Sequence, residues 1–185
     1  MKTKVLFTVM LSVAMSLNLF ARPADGQDGV LVAYFSATGT TAKVAKALAD
    51  ATGGRLYAIT PTVLYTAGDL DWHDRNSRSS REMKDAKARP ALKDGVVDLS
   101  GIKVVYIGYP IWWGVAPRVV NTFIESNDLK GKVLIPFATS GGSGIGQSVA
   151  ELREAYPDLQ WRDGKLLNRA GAGEIRAWVA GNAAE

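Results

Sequence analysis

The amino-acid sequence predicts an α/β fold: a doubly wound parallel sheet covered by helices on both faces, in three layers. Three observations carry this. Apolar runs recur from residue 30 onward, at 30–35, 104–107 and 133–137. They are continuous rather than alternating, as in strands buried on both faces. Segments with apolar residues at helical spacing separate them, and strands alternating with helices place successive strands parallel in one sheet.

Taken in order, residues 30–35 form the first strand, and residues 41–51 a helix with Val44, Ala45 and Leu48 on one face, stopped by Gly53 and Gly54. Residues 55–60 read as a second strand closed by Pro61. Residues 62–100 are polar, charged and without sustained periodicity, a long loop with a helix somewhere between Asp71 and Ala88. The third strand, 104–107, leads into a helix near 117–126 with Val120, Phe123 and Ile124 inward. In the fourth strand, 133–137, Pro136 lacks a ladder donor and is therefore expected near the strand end. A helix at 146–155, a weak fifth strand within 159–167 and a last helix at 174–180 complete the pattern of five strands.

Composition narrows the chemistry. The chain has 185 residues, enough for one domain with a sizeable core, and no cysteine. That excludes disulfides, thiolate metal sites and cysteine catalysis. A single histidine, His73, argues against a His-rich metal centre or a serine–histidine triad. The net charge is +4, but Lys2 and Lys4 belong to a leading segment. After them comes an apolar run from Val5 to Phe20, interrupted only by Thr8, Ser12, Ser16 and Asn18, and then Ala21. A charged start and an apolar stretch too short to span a bilayer read as an export signal over 1–21, followed by a linker at 22–28 and one domain at 29–185. The other reading of 1–21 is an uncleaved membrane anchor. Without 1–21 the chain carries 20 basic and 18 acidic residues, a net +2. A nucleic-acid partner is not expected, because only 75–81 approaches a basic face.

Three loops follow strand ends, where open parallel sheets bind ligands. The first holds Ser36, Ala37, Thr38, Gly39, Thr40 and Thr41. Its hydroxyls, and the free N–H groups of the helix start, suit a phosphate without needing lysine or arginine. An ordinary turn with a Ser/Thr helix cap is the alternative. The second loop holds Tyr109, Pro110, Ile111, Trp112, Trp113 and Gly114. Two adjacent indoles are costly to leave in water, so either one covers a flat apolar ligand or both pack into the core. The third holds Thr139, Ser140, Gly141, Gly142, Ser143 and Gly144, small residues whose N–H groups can reach a heterocycle edge, or else a flexible loop.

These residues resemble the flavodoxins, and more closely the FMN-binding flavodoxin-like proteins with Y-F-S-x-T-G-x-T and P-I-W-W-G motifs. The resemblance covers about residues 29–180 and implies strand order 2-1-3-4-5 with FMN as cofactor. It implies that residues 36–41 hold the FMN phosphate and that Trp112 or Trp113 flanks the isoalloxazine. Pro110, Ile111 and Gly114 belong to the same loop, with the Trp113–Gly114 peptide near flavin N5. Thr139, Ser140, Gly141 and Gly142 would line the pyrimidine edge. An apolar site with little positive charge nearby disfavours extra negative charge on the reduced ring and lowers its potential. The resemblance implies an exported redox protein that exchanges electrons with a partner protein or a small acceptor. Its alternatives are an NAD(P)H- or quinone-type reductase and a non-redox binding module. Electron-shuttling flavodoxins are typically strongly acidic, and this chain is near neutral. Residues 62–100 exceed what a minimal flavodoxin carries. They are either a solvated loop with structural arginines or a flap whose Arg or His73 binds a substrate.

Overall fold

The structure is a computed structural model and describes residues 29–183. The expected export segment and linker lie outside the described residues. The strands are β1 (Val30–Tyr34), β2 (Arg55–Ala58), β3 (Val104–Pro110), β4 (Val133–Thr139), β5 (Gln160–Trp161) and β6 (Lys165–Leu166). The helices are α1 (Thr40–Thr52), α2 (Arg78–Lys84), α3 (Arg118–Ser126), α4 (Gly146–Ala155) and α5 (Ala172–Ala183). Every strand pair is parallel, in the order β2-β1-β3-β4-β5, with β6 also on β4. The chain reverses its winding between β1 and β3, and both faces are covered.

Strand alternation divides the core in two. Leu31, Ala33, Val105, Ile107 and Leu134 pack with Val120 and Phe123 of α3 and Leu152 of α4. Val32, Tyr106, Ile135 and Phe137 pack on the other face with Ala45 and Leu48 of α1 and Ile175 of α5. The centre of the second layer is tight. Gly108 stands opposite Phe137 in the register, and a Cβ at Gly108 would lie 2.1 Å from the Phe137 ring.

Two expectations are corrected. Pro136 sits in the middle of β4, not near its end. The reason lies in which neighbour its missing N–H faces. Leu134 O accepts from Arg162 N and Ala138 O from Leu167 N, both at 2.9 Å. In a parallel ladder alternate residues face the same neighbour, so Pro136 also faces the sheet edge. There the edge strand is interrupted, and Gly164 passes so near that a Cβ on it would lie 2.9 Å from Pro136 O. The expected fifth strand is accordingly two short pieces, β5 and β6, either side of that point.

The segment 62–100 is more ordered than its composition suggested. It contains a 3₁₀ turn at Gly68–Leu70 and the expected helix, α2, capped by the Ser77 hydroxyl accepting from Ser80 N. Its far end runs beside β2: Lys93 N donates to Thr60 O at 2.8 Å, and Tyr57 OH to Asp94 O at 2.6 Å. Arg55 donates to Asp98 O.

Gly108→Ala forces a methyl into the fully buried Phe137 ring, and overpacking of this kind costs about 2 kcal/mol. Urea denaturation should show that loss with an unchanged m-value.

Candidate functional site

The register brings three loops to one height. Tyr34 pairs with Gly108 and Gly108 with Phe137, and β3 and β4 run two residues further to the Pro110–Thr139 pair, so the chain after β1 reaches Ser36 near the same level. At their carboxyl ends lies a cavity of about 570 Å³, in the usual range of small-molecule sites.

The first wall is the turn into α1. Gly39 adopts φ +88° as the N-cap, and no side chain caps the helix. The early N–H groups of α1 therefore have no intrahelical partner and no capping side chain. Ser36 Oγ instead accepts from Gly39 N at 3.1 Å, which tightens the turn before the helix. Ser36, Ala37, Thr38 and Thr41 line the cavity; Gly39 shapes the turn, and Thr40 sits exposed beside it. Thr41 is buried, and its hydroxyl is 2.8 Å from that of Thr139. That contact ties the first turn of α1 to the end of β4. Thr139 itself is not among the residues that line the cavity.

Pro110, Ile111, Trp112 and Trp113 form the second wall. The two indoles part company. Trp112 is wedged edge-on against Phe35 (5.5 Å, 87°) and Tyr65 (5.2 Å, 83°). Trp113 is 50% exposed. Backbone bonds pair Trp112 with Val115 at 3.0 and 3.1 Å, so Trp113 and Gly114 are the two central residues of a tight turn. Both have positive φ, +49° and +83°. Glycine adopts that conformation freely and tryptophan does not, so Trp113 carries local strain. A Cβ at Gly114 would lie 2.8 Å from Gln147 Oε1, so the turn also rests against the first turn of α4. Below it the buried Tyr109 hydroxyl is 3.1 Å from Ser148 Oγ, and burial pushes the phenol up to about 12.

The third wall, Ser140, Gly141, Gly142 and Ser143, is not a loose loop. Ser140 N donates to Asn168 Oδ1 at 2.6 Å, and Asn168 Nδ2 donates back to Ser140 O. Ser140 Oγ accepts from Gly142 N at 3.1 Å and Ser143 N at 2.8 Å. Of these four amides, only that of Gly141 is unpartnered among the described residues, fewer than the sequence led one to expect.

Leu70, Trp72 and Ser79 form a fourth wall that the sequence did not assign to the site. They come from the long segment, which reaches the cavity through Trp72 rather than through an arginine. Three of its four arginines, Arg78, Arg81 and Arg89, brace the fold instead. Arg78 Nε donates to Glu82 at 2.7 Å and its guanidinium lies 4.1 Å above the Tyr65 ring. Tyr65 OH donates to the same Glu82, and burial and that carboxylate hold the phenol far above its ordinary value. Arg81 donates to Asn76 O, and Arg89 grips Glu125 with two bonds of 2.7 and 2.8 Å. Among the described residues no group of acids and histidine could hold a metal ion.

The fold and site define a class: an open α/β protein with a cavity at the strand switch point, lined without charged side chains, where an uncapped helix start stands beside aromatic walls. The chain belongs to the flavodoxin family, whose model matches residues 29–182. It is 55% identical to a candidate flavoprotein from Bacteroides eggerthii DSM 20697, with a TM-score of 0.82 over 86% of this chain and 100% of that one. A second, from Bacteroides uniformis ATCC 8492, is 53% identical (TM-score 0.81, 82% and 97% covered). A flavoprotein from Lactobacillus acidophilus NCFM, solved in complex with FMN, shares the fold at 20% identity (TM-score 0.63, 83% and 99% covered). No curated protein matches the chain.

Glu82→Ala would leave the Tyr65 hydroxyl without its acceptor and the Arg78 guanidinium with only Val63 O. Removing one partner of a mostly buried pair costs about 3 kcal/mol. The near-UV circular dichroism of Trp112 should weaken in the same variant, because Tyr65 is one of its two edges.

Proposed function

We propose that the cavity binds FMN and that the protein is a flavin-dependent redox protein. The single observation that carries this is the uncapped start of α1 opening into the same cavity as the exposed face of Trp113. A helix N-terminus with unpaired donors stabilises a phosphate dianion without cationic side chains. An indole face suits a planar ring system. The family, and the FMN complex of the Lactobacillus relative, support the same cofactor.

The residues present fit that group. The N–H groups at the start of α1, with the hydroxyls of Ser36, Thr38 and Thr40, would hold the phosphate. Trp113 would flank the ring, while Trp112, wedged on Phe35 and Tyr65, would support the loop from behind. Gly141 N would be the amide offered to the ring edge. When bound, FMN supplies one- and two-electron transfer, and that chemistry is its own. The protein's part is to exclude water with Ile111, Trp112 and Trp113, and to keep cationic side chains out of the lining. That environment holds the reduction potential low. A protein partner or a small acceptor would take the electrons, and the segment 1–21 would direct export.

Titration of the full chain with FMN and riboflavin, followed by flavin fluorescence, tests the reading. FMN should be quenched and bound more tightly than riboflavin. Thr38→Ala should weaken FMN by roughly tenfold and riboflavin little, since a hydrogen bond to a charged group contributes ~1.5 kcal/mol or more. Trp113→Ala should weaken both ligands by roughly fivefold or more through lost stacking. Equal affinity for FMN and riboflavin would remove the phosphate assignment.

A further inference from the structure

Resting on the FMN reading above, we propose that the cavity also takes a second ligand, a flat and uncharged aromatic molecule packed against Trp72. Four observations converge on it. The first is exposure: Trp72 is 67% exposed, and it lines the same cavity as Trp113. Trp113 has the flavin as its partner, which leaves Trp72 without one. An indole face of that size is costly in water unless something covers it.

The second is geometry. The His73 ring lies over Trp72 with centroids 3.5 Å apart and planes tilted by 34°. One face of the indole is thus covered from within the chain, and the other is available to the cavity. The third is that the turn bearing Trp72 is built. Thr66 N and Thr66 Oγ1 donate to Asp69 Oδ2 at 2.9 and 2.8 Å, and His73 N to Asp71 Oδ1 at 2.9 Å. Local bonds therefore fix the backbone turn that carries Trp72.

The fourth concerns charge. No residue lining the cavity is ionisable. Arg78, Arg81 and Arg89 of this segment are engaged with Glu82, Asn76 O and Glu125, and the exposed Arg75 is not among the lining residues. The anion-binding donors at α1 are taken by the flavin phosphate. A dinucleotide would bring a pyrophosphate into a lining that holds no cation to neutralise it, whereas a neutral ring system leaves no charge unpaired. The site therefore selects quinone-like aromatics over nicotinamide dinucleotides.

The test is calorimetric titration of the FMN-loaded full chain with menadione, a neutral naphthoquinone, with menadione sulfonate and with NADH. Menadione should bind, and the two anions should bind at least about tenfold more weakly, since their charges would be desolvated without a partner. Trp72→Ala should weaken menadione by roughly tenfold while Trp72→Phe retains it, as loss of an aromatic pair predicts. FMN affinity, read by fluorescence quenching, should change by less than about threefold in either variant, because stacking on Trp113 is intact. Unchanged menadione binding in Trp72→Ala overturns the proposal. So does a matching loss of FMN affinity, which would make Trp72 the flavin's own wall, or NADH binding equal to menadione. A parent chain that binds FMN but not menadione overturns this inference alone. A parent chain that binds neither overturns the FMN reading with it.

Discussion

The register of the three central parallel strands is the constraint on which the site rests. Tyr34, Gly108 and Phe137 lie side by side across β1, β3 and β4, and Pro110 stands opposite Thr139. Because the strands are in step, the phosphate-type turn, the tryptophan turn and the serine–glycine turn leave the sheet at one level. Sliding any strand by one residue would exchange its two faces, placing Leu31, Ile107 or Leu134 where the opposite layer is already filled. The missing side chain at Gly108 belongs to the same constraint, since it gives the Phe137 ring its place.

On that platform each loop is tied to something other than a ligand. Thr41 is joined to Thr139, Ser140 to Asn168, and Trp112 to Phe35 and Tyr65. The groups left over are the amides at the start of α1, the amide of Gly141 and the faces of Trp113 and Trp72. This division separates residues that shape the cavity from residues with unspent capacity to bind. The lining itself carries no charge, and Arg78, Arg81 and Arg89 brace the segment that overhangs it.

Much of this was legible in the sequence. Continuous apolar runs and helical spacing are local signals, and they set the order of elements and the three loops at strand ends. What was not legible depended on distant partners. Pro136 in mid-strand contradicts a rule about ladder donors, and is resolved only by knowing that its face meets an interrupted edge. Asn168 lies 28 residues beyond Ser140, and no spacing announces that bond. Trp72 sits in a stretch without periodicity, and its place over the cavity is set by turns built from Thr66, Asp69 and Asp71. The division of labour between Trp112 and Trp113 followed the same logic: adjacent identical residues are told apart by Tyr65, nearly fifty positions upstream of them.

The interruption at Pro136 has a consequence for how this molecule coexists with its own copies. An exposed strand edge is a template on which another chain can add a strand, and long flat edges promote association. Here one border of the sheet is broken into β5 and β6, two residues each. At the other border, β2, the stretch around Asp94 and Asp98 is fastened to Tyr57 and Arg55. Among the described residues neither border is a long strand: β2 has four residues and β5 and β6 two each. A proline that looks like a flaw in β4 thus marks the point where the border on which a further strand could add is interrupted.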